Sequence, residues 1–179
     1  MKWKIRHSEY LIQGKYLTVR KDQVTLPNGH QIDDYYVLEY PNWVTVIGLT
    51  KNEKLIMVRQ YRHGLQQVSY ELCAGVHETV DDDFLATAKR EMLEETGYGN
   101  GNWEPWLICS PNPGTHTNLS YTFLATNLEL LQEQELDPGE DITVHLFSKT
   151  EIRELLMNNK IPQAMHAAPL WKFLSVFNK

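Results

Sequence analysis

Residues 75–98 read GVHETVDDDFLATAKREMLEETGY, and the rest of the chain is organised around this stretch. Its second half, from Asp82 to Glu95, contains neither glycine nor proline and sets apolar residues three and four positions apart. This spacing is the pattern of a helix with one buried stripe. The stripe consists of Leu85, Ala88 and Met92. We expect Gly97 to end the helix, because glycine readily adopts the left-handed conformation found after a last helical turn.

Three glutamates, Glu91, Glu94 and Glu95, lie one turn apart or adjacent at the end of this predicted helix. Their carboxylates therefore converge on one patch of the helix surface. Like charges this close repel one another unless a cation lies among them, and ligands that are all oxygen favour Mg²⁺ or Mn²⁺ over Zn²⁺. On the helix alone, a solvated acidic face is an equally acceptable interpretation.

The composition excludes several other classes of protein. A chain of 179 residues with 42% hydrophobic residues predicts one domain, or one domain with a small appendage. A formal net charge of −6 argues against a nucleic-acid partner, which would need a basic surface. No apolar run is long enough for a membrane span and the N-terminal residues do not form a signal peptide, so we expect a cytoplasmic protein.

The cysteines and histidines do not indicate a zinc site. Cys73 and Cys109 are far apart in the sequence and fit no metal-binding spacing, so we expect reduced thiols. The seven histidines form no H-x-H or H-x-x-x-H pair on a predicted helix.

The first forty residues alternate polar and apolar positions and predict strands. Asn28 and Gly29 form the turn between two of them, and we expect a positive φ at both residues. A short antiparallel unit of this kind buries little surface by itself. It must therefore pack either on the rest of its own chain or on a second copy of the chain.

The remaining sequence predicts a mixed sheet between helices. Ser148 or Thr150 can cap a helix from about Thr150 to Met157, and Pro169 is expected in the first turn of a terminal helix. The predicted strands are Val44–Leu49, Lys54–Arg59, Val68–Leu72, Trp103–Cys109, Leu119–Ala125 and Ile142–Phe147.

The helix and its flanks resemble the Nudix box, G-x5-E-x7-R-E-U-x-E-E-x-G-U, in which U is apolar. Gly75 matches its first glycine, Arg90 and Glu91 match its central pair, and residues 94–98 match its end. The front half differs, because Asp82 stands eight residues before Arg90 where the family has Glu, and six residues instead of five separate it from Gly75. Asp81, with eight residues following it, is an equal alternative.

A longer resemblance includes VTLPNG at 24–29, VRQYRHG at 58–64 and ELCAG at 71–75, and it points to the ADP-ribose pyrophosphatase branch of the Nudix family. Cys73 stands where that branch has proline. The resemblance implies an α/β (α+β) fold in which helices enclose a mixed sheet, with an additional small N-terminal antiparallel β unit. It further implies that residues 1–41 form a dimerisation element of a homodimer and residues 42–179 the hydrolase domain.

The resemblance also implies roles for the acidic residues. Glu91 and Glu95 would be direct metal ligands, the carbonyl of Ala74 a third, and Glu94 either a ligand or a support for the others. Arg90 would orient these carboxylates through a bidentate contact.

The acidic loop before the last predicted strand supplies a further candidate. Glu140-Asp141-Ile142 resembles a Glu-Asp-Ile segment in which the glutamate helps to hold the metal. Some relatives have a catalytic glutamate two residues before that glutamate, where this chain has Pro138. Glu135, Asp137 or a helix carboxylate would have to act as general base, and a solvated acidic turn is the alternative interpretation of the loop.

Substrate-binding candidates lie mainly before the helix. By resemblance Arg62 clamps the substrate phosphates, and Arg59 either assists or forms a surface ion pair. Glu71 would contact substrate or metal-bound water, or cap the following turn. Trp43, Tyr35 and Tyr36 could each stack on a base or pack in a core or a dimer interface. His116 and Asn118 are further candidates to face the substrate.

These observations predict an enzyme that hydrolyses the pyrophosphate bond of a nucleoside diphosphate linked to a sugar or similar group, with Mg²⁺ or Mn²⁺ as cofactor. The products would be a nucleoside monophosphate and a sugar phosphate. Relatives frequently have an acidic residue near Asn118, so the substrate need not be ADP-ribose itself. The alternatives are a hydrolase of oxidised nucleotides and a non-catalytic module that senses a nucleotide or sugar phosphate.

Overall fold

The structure of the protein, a computed structural model, describes residues 1–78 and 81–177. Within these residues the chain forms eleven strands and three helices. In chain order they are β1 (Lys4–Gln13), β2 (Thr18–Thr25), β3 (Gln31–Glu39), β4 (Trp43–Thr50), β5 (Leu55–Arg62), β6 (Gln67–Glu71), β7 (Cys73–Val76), α1 (Phe84–Thr96), β8 (Tyr98–Gly99), β9 (Asn102–Cys109), β10 (Ser120–Leu130), β11 (Thr143–Phe147), α2 (Lys149–Met157) and α3 (Ala164–Val176).

The chain divides into two compact units. Unit 1 combines Met1–Asn42 with Ser110–Leu119, and unit 2 combines Trp43–Cys109 with Ser120–Lys179. Backbone hydrogen bonds explain why the loop after β9 groups with the N-terminal residues, since Leu38 N donates to Thr115 O at 2.8 Å and Thr117 N donates to Leu38 O at 3.2 Å. A boundary drawn from sequence continuity after residue 41 leaves this loop in the other unit.

Unit 1 is built on a three-stranded antiparallel sheet in the order β1-β2-β3. All ten residues of the edge strand β1 are exposed. The turn between β2 and β3 differs from the expectation, because Gly29 has a φ of 86° whereas Asn28 is not among the residues with positive φ. Asn28 instead uses its side chain, whose Oδ1 accepts from His30 N at 3.0 Å, and this local bond closes the turn.

Unit 2 contains an eight-stranded mixed sheet. Its central path runs β11-β5-β4-β10-β8, and β6, β7 and β9 pair with β5, β4 and β10 respectively. The β4–β10 pair is parallel, and the other pairs are antiparallel. The prediction of a mixed sheet is therefore confirmed.

Side chains on alternate positions of the central strands bury opposite faces of this sheet, as a strand's period of two requires. One face packs against α1 and the other against α2 and α3, so the predicted layering of helix, sheet and helices is confirmed. The first core includes Val44, Val46, Ile56, Ala88, Met92, Phe123 and Ala125. The second includes Ile47, Leu49, Leu55, Met57, Leu124, Ile152, Leu170 and Phe173.

Helix α1 has a defined residue at each end. Asp83 is its N-cap, and its side chain accepts from Ala86 N at 2.7 Å, so the helix starts two residues later than the sequence pattern suggested. Gly97 ends the helix as expected: its φ is 74° and its N–H donates to Leu93 O at 2.8 Å.

The expectation for the last helix was wrong. Helix α3 begins at Ala164, and Pro169 lies inside it rather than in its first turn. Proline removes one backbone hydrogen bond from a helix interior. The helix nevertheless continues because Leu170, Phe173 and Leu174 are buried on its core face, and this burial outweighs the lost bond. No helix in the described part of the chain is both long and apolar enough to span a membrane.

Because α1 carries the glutamates, its N-cap is a first point to test. We expect Asp83→Ala to lower the free energy of unfolding by about 1 kcal/mol, the usual loss when a capping side chain is removed. Asp82→Ala is the matched control, because Asp82 is exposed and the cap bond comes from its neighbour. Urea unfolding followed by circular dichroism measures both variants, and equal stability of the two would contradict the assignment of the cap.

Candidate active site

Glu95 lies at the end of α1 against the backbone of β7. Its side chain is buried, with 4% of its surface exposed, and Oε2 accepts a hydrogen bond from Ala74 N at 3.1 Å. The thiol of Cys73 lies next to this carboxyl group. Burial raises the pKa of Glu95 to about 8, and the charges of Glu91 and Glu140 act in the same direction. The protein therefore places too little positive charge near Glu95 to stabilise its ionised form.

Glu91 packs directly on the backbone of Gly75. A Cβ atom at residue 75 would lie 2.0 Å from Cδ of Glu91, so only glycine leaves room for this carboxylate. Burial raises the pKa of Glu91 to about 7, although the guanidinium of Arg90, 3.0 Å from Oε1, partly opposes the shift. The half-buried Glu91 and the buried Glu95 thus both place their carboxylates against Ala74-Gly75.

Arg90 organises the carboxylates around it. Nε and Nη2 each donate to Asp81 at 3.1 Å, and Nη1 lies 2.8 Å from Oε2 of Glu94 as well as close to Glu91. The hydrogen bonds from Arg90 lower the pKa of Asp81 to about 2. The sequence left Asp81 and Asp82 as alternatives for the acidic position before the helix. In the structure Asp81 contacts Arg90, whereas Asp82 is exposed.

The acidic loop before β11 is attached to the end of α1. Nε2 of Gln134 donates to Glu95 O at 2.5 Å and to Ile142 O at 3.3 Å. Within the loop, Glu140 Oε2 accepts from Asp137 N at 3.0 Å. Glu140 is exposed, and its charge contributes to the raised pKa values of Glu91 and Glu95. The structure therefore brings Glu140 within electrostatic range of the buried carboxylates.

Beside these carboxylates lies a cavity of about 470 Å³, a volume typical of small-molecule sites. Glu71, 1% exposed, and Arg62 form one part of its wall. Arg62 Nε lies 2.9 and 3.0 Å from the two oxygens of Glu71, and Nη2 lies 2.5 Å from Oε2. The lining residues are Trp43, Thr45, Arg62, Gly64, Leu65, Glu71, Ala74, Gly75, Val76, Pro162, Gln163, Met165 and His166.

Arg59 is not brought to this cavity. Side chains alternate along β5, so Gln60 and Arg62 both reach Glu71, whereas Arg59 lies over the ring of Tyr70 at 5.9 Å from its centroid. Of the three aromatic candidates, Trp43 lines the cavity.

The other candidates belong to unit 1. Tyr35 donates to Gly114 O and makes an edge contact with Trp3, and Tyr36 is exposed on β3. Nδ2 of Asn118 donates to Pro41 O at 3.0 Å, and the ring of His116 lies 5.1 Å from that of Tyr40. These contacts give the residues positions within unit 1 itself.

The donor set suits a hard divalent cation. The carboxylates of Glu91 and Glu95, with their raised pKa values, offer oxygen ligands of the kind that such a cation prefers. Within residues 1–78 and 81–177, no group of three or more Asp, Glu, His or Cys side chains is arranged so that the side chains alone could hold a metal ion. Mg²⁺ does not require one, because it keeps several waters and uses one or two carboxylates.

Sequence reasoning missed two contributors from the start of α3, Gln163 and His166, which line the cavity next to Glu71. A single histidine among apolar helix residues carries no sequence signal of its own. It also missed the support of Asp81 by Thr87, whose Oγ1 donates to Asp81 Oδ2 at 2.9 Å.

Comparisons with known proteins agree with this geometry. A model of the nucleoside diphosphate sugar hydrolase N-terminal domain matches residues 3–38, and a model of the NUDIX domain matches residues 40–168. The chain is 30% identical over 160 residues to an ADP-ribose pyrophosphatase of Bacillus subtilis (strain 168), covering 89% of this chain and 85% of that protein. It is 34% identical over 144 residues to a methanol dehydrogenase activator of Bacillus methanolicus, covering 80% and 76%.

A solved structure described as an ADP compounds hydrolase shares the fold, with a TM-score of 0.85 and 19% sequence identity over 98% of this chain and 96% of that one. The fold, the glutamates on α1 and the relatives together define an enzyme of the pyrophosphohydrolase class. The chain belongs to the Nudix family, through a domain match that spans most of its length. The resemblance, the fold class and the interpretation as an enzyme are thereby confirmed.

The ion pair between Asp81 and Arg90 predicts an acid-dependent loss of stability. The pKa of Asp81 is lower in the folded chain, about 2, than its usual 3.8, so the pair stabilises the fold above about pH 4 and this contribution disappears as the pH falls towards 2. We expect Asp81→Asn to lower the free energy of unfolding by about 2 kcal/mol at pH 7.

Urea titrations at pH 7 and pH 3.5 measure the effect, and the gap between wild type and Asp81→Asn should narrow at the lower pH. Asp82→Asn removes the same charge from an exposed neighbour and serves as the control. An Asp82 variant as unstable as the Asp81 variant would show that Arg90 does not depend on Asp81.

Proposed function

We propose that this chain hydrolyses the diphosphate bond of a nucleoside diphosphate linked to a sugar or similar group, with Mg²⁺ or Mn²⁺ as cofactor, and releases a nucleoside monophosphate and a sugar phosphate. The observation that carries the proposal is the position of two poorly compensated carboxylates, the half-buried Glu91 and the buried Glu95, beside a cavity whose wall contains Arg62.

Arg62 connects the two parts of the site. Its bonds to Glu71 raise its pKa most, and the charges of Glu95 and Glu140 contribute as well, which places the guanidinium within range of the acidic cluster. A diphosphate that bridges the cluster and the cavity would therefore contact Arg62 on its way. Because Glu71 accepts from Nε and Nη2, we assign Nη1 to the phosphate oxygen.

Glu91, Glu95 and the carbonyl of Ala74 would hold the divalent cation, and Glu94 and Glu140 would complete or support that set. The bound cation would neutralise phosphoryl oxygens and acidify a water ligand. Arg90 keeps Glu91 and Glu94 in place through its contacts to both. Glu71 fixes Arg62, and we assign it no direct part in the reaction.

Pro138 removes a carboxylate from the position where some relatives of the family have a catalytic glutamate. Glu135 and Asp137 in the same loop, or a helix carboxylate, are the candidates for general base. Glu135 N donates to Glu94 O at 2.9 Å, which attaches this part of the loop to α1 next to the acidic cluster.

The relatives support the substrate class. Proteins of Bacillus subtilis and Mycobacterium tuberculosis that match most of the chain are called ADP-ribose pyrophosphatases, and the N-terminal match is to nucleoside diphosphate sugar hydrolases. We therefore place ADP-ribose and nucleoside diphosphate sugars at the head of the panel to be assayed.

The direct test is turnover with Mg²⁺ of ADP-ribose, GDP-mannose, NADH, a dinucleoside polyphosphate and an oxidised nucleotide. We expect release of a nucleoside monophosphate from ADP-ribose or from the nucleoside diphosphate sugar. Glu95→Gln should lower kcat by about a hundredfold or more, because a metal ligand supplies several kcal/mol of transition-state stabilisation. Glu104→Gln, which neutralises an exposed glutamate on β9, should leave kcat unchanged.

Circular dichroism and a thermal melt would establish that the Glu95 variant is folded before its kcat is interpreted. Release of monophosphate from none of the substrates by wild type would contradict the proposal. If wild type hydrolysed only the oxidised nucleotide, the chain would instead be assigned as a hydrolase of oxidised nucleotides.

We also propose that residues 1–41 mediate a homodimer. The edge strand β1 is exposed along its whole length, and it presents Trp3, Ile5, Tyr10, Leu11 and Ile12 from within or beside it to solvent in the single chain. An exposed apolar edge strand is the kind of surface that pairs with another chain.

Light scattering at micromolar concentration should give the mass of a dimer for wild type. The double variant Ile5→Glu, Ile12→Glu should give the mass of a monomer, because charge at these positions disfavours burial. Leu146→Glu with Met157→Glu changes two exposed apolar residues of unit 2 and is the control. A monomeric wild type would refute the dimer.

A further inference from the structure

The turn after β5 places a large apolar side chain in the wall of the cavity. Leu65 lines the cavity, yet 61% of its surface is exposed. The turn begins at Arg62, because Leu65 N donates to Arg62 O at 3.2 Å. A single exposed leucine is ordinary on a protein surface, but this one lies in a ligand-sized cavity, three residues after the proposed phosphate contact. Leu65 therefore offers apolar surface to a group that is bound beside the diphosphate.

The polar side chains of the cavity wall already contact other protein groups. Arg62 and Glu71 form an ion pair, and Oγ1 of Thr45 lies 2.7 Å from the hydroxyl of a threonine on β10. Oε1 of Gln163 lies 3.0 Å from Nε2 of His166. Hydroxyl groups that enter the cavity lose their hydrogen bonds to water, and the partners they would need there are largely occupied.

The remainder of the wall suits an aromatic ring better than a sugar. A sugar carries hydroxyls around its ring, and an apolar wall would leave them unpaired. A nucleobase has two apolar faces and keeps its polar groups on its edge, so it can cover apolar side chains without burying those groups. The other lining residues are Trp43, Gly64, Leu65, Ala74, Gly75, Val76, Pro162 and Met165.

We propose that Leu65 determines specificity by packing on the face of the nucleobase of the substrate, which occupies this cavity beside the diphosphate. The inference rests on the proposed function and adds to it the group that the cavity binds. Burial of Leu65 under the base gains free energy only with substrates that carry a base. An apolar side chain makes no hydrogen bond to the phosphates, so this contribution is separate from the metal chemistry at the carboxylates.

The experiment compares ADP-ribose with P¹,P²-di(ribos-5-yl) diphosphate, in which a second ribose replaces adenosine. Both compounds keep the diphosphate and the distal ribose, and a phosphatase converts the products of both into inorganic phosphate, which is measured. We expect the kcat/KM of wild type to be about tenfold to a hundredfold lower for the compound without a base, because that compound lacks the apolar contact. If GDP-mannose is the better substrate, it is compared with its own counterpart, in which ribose replaces guanosine.

Two substitutions of Leu65 and one control assign this preference to its side chain. Leu65→Asn replaces the apolar side chain by a polar one, so it should lower kcat/KM about tenfold for ADP-ribose and leave the base-free compound unchanged. Leu65→Met keeps an apolar side chain of similar volume and should stay within about twofold of wild type on both compounds. Val68→Thr changes an exposed apolar residue of the same hairpin that is not among the lining residues, and it should alter neither value.

Thermal melts establish that the three variants are folded. A loss by the same factor on both compounds in Leu65→Asn would overturn the inference, because the base would not be the group in contact. An unchanged kcat/KM in that variant, or equal turnover of the two compounds by wild type, would overturn it as well. Each of these results leaves the proposed function intact. If wild type hydrolyses no nucleoside diphosphate derivative, the proposed function fails and the inference fails with it.

Discussion

The site depends on placing two carboxylates, one buried and one half-buried, against the backbone of a strand. Glu91 and Glu95 project from one helix onto Ala74-Gly75 of β7, and Arg90, the guanidinium that contacts Glu91, is shared with Asp81 and Glu94. Placing negative charge in such a position is unfavourable, and the raised pKa values of both groups measure that cost. A proton or a cation must offset it. The fold tolerates the arrangement because Ala88 and Met92 anchor the same helix in the core.

This constraint extends to the residues around the two glutamates. Residue 75 must be glycine, since a side chain there would occupy the space of the Glu91 carboxylate. Arg90 must reach carboxylates on both sides of itself, which requires an acidic residue before the helix. The number of residues between that acid and Arg90 matters less than its reach, because the acid lies ahead of the N-cap Asp83, where helical spacing does not apply. A one-residue insertion in the front half of the motif is therefore accommodated by using Asp81.

Local rules were sufficient for much of the fold. Periodicity located α1 and the central strands, and Gly97 ended the helix where its backbone freedom predicts. The errors arose where a tertiary effect outweighed the local preference. Pro169 lies within α3 because core burial holds the helix together, and Asn28 closes its turn with a side-chain bond instead of a left-handed backbone.

The cavity was beyond sequence reasoning for a related reason. Its wall joins Glu71 on β6 to Gln163 and His166 from α3, segments that no local pattern connects. Arg62 was identified from the sequence because the motif on its strand is recognisable. Arg59 lies away from the cavity because side chains alternate along β5, and this can be deduced only once the position of Glu71 is known.

The electrostatics of the two halves of the site give the bound molecule a direction. The acidic half requires a cation and, through it, attracts phosphate oxygens, whereas the cavity half is close to neutral because Arg62 and Glu71 form an ion pair. A diphosphate placed in the cavity would lose its solvation, and Arg62, the one cation among the lining residues, is already paired with Glu71. An uncharged part of the substrate is thus favoured in the cavity and the diphosphate at the carboxylates. Arg62 lies between them, so the ion pair with Glu71 keeps its charge from making the cavity a second phosphate site.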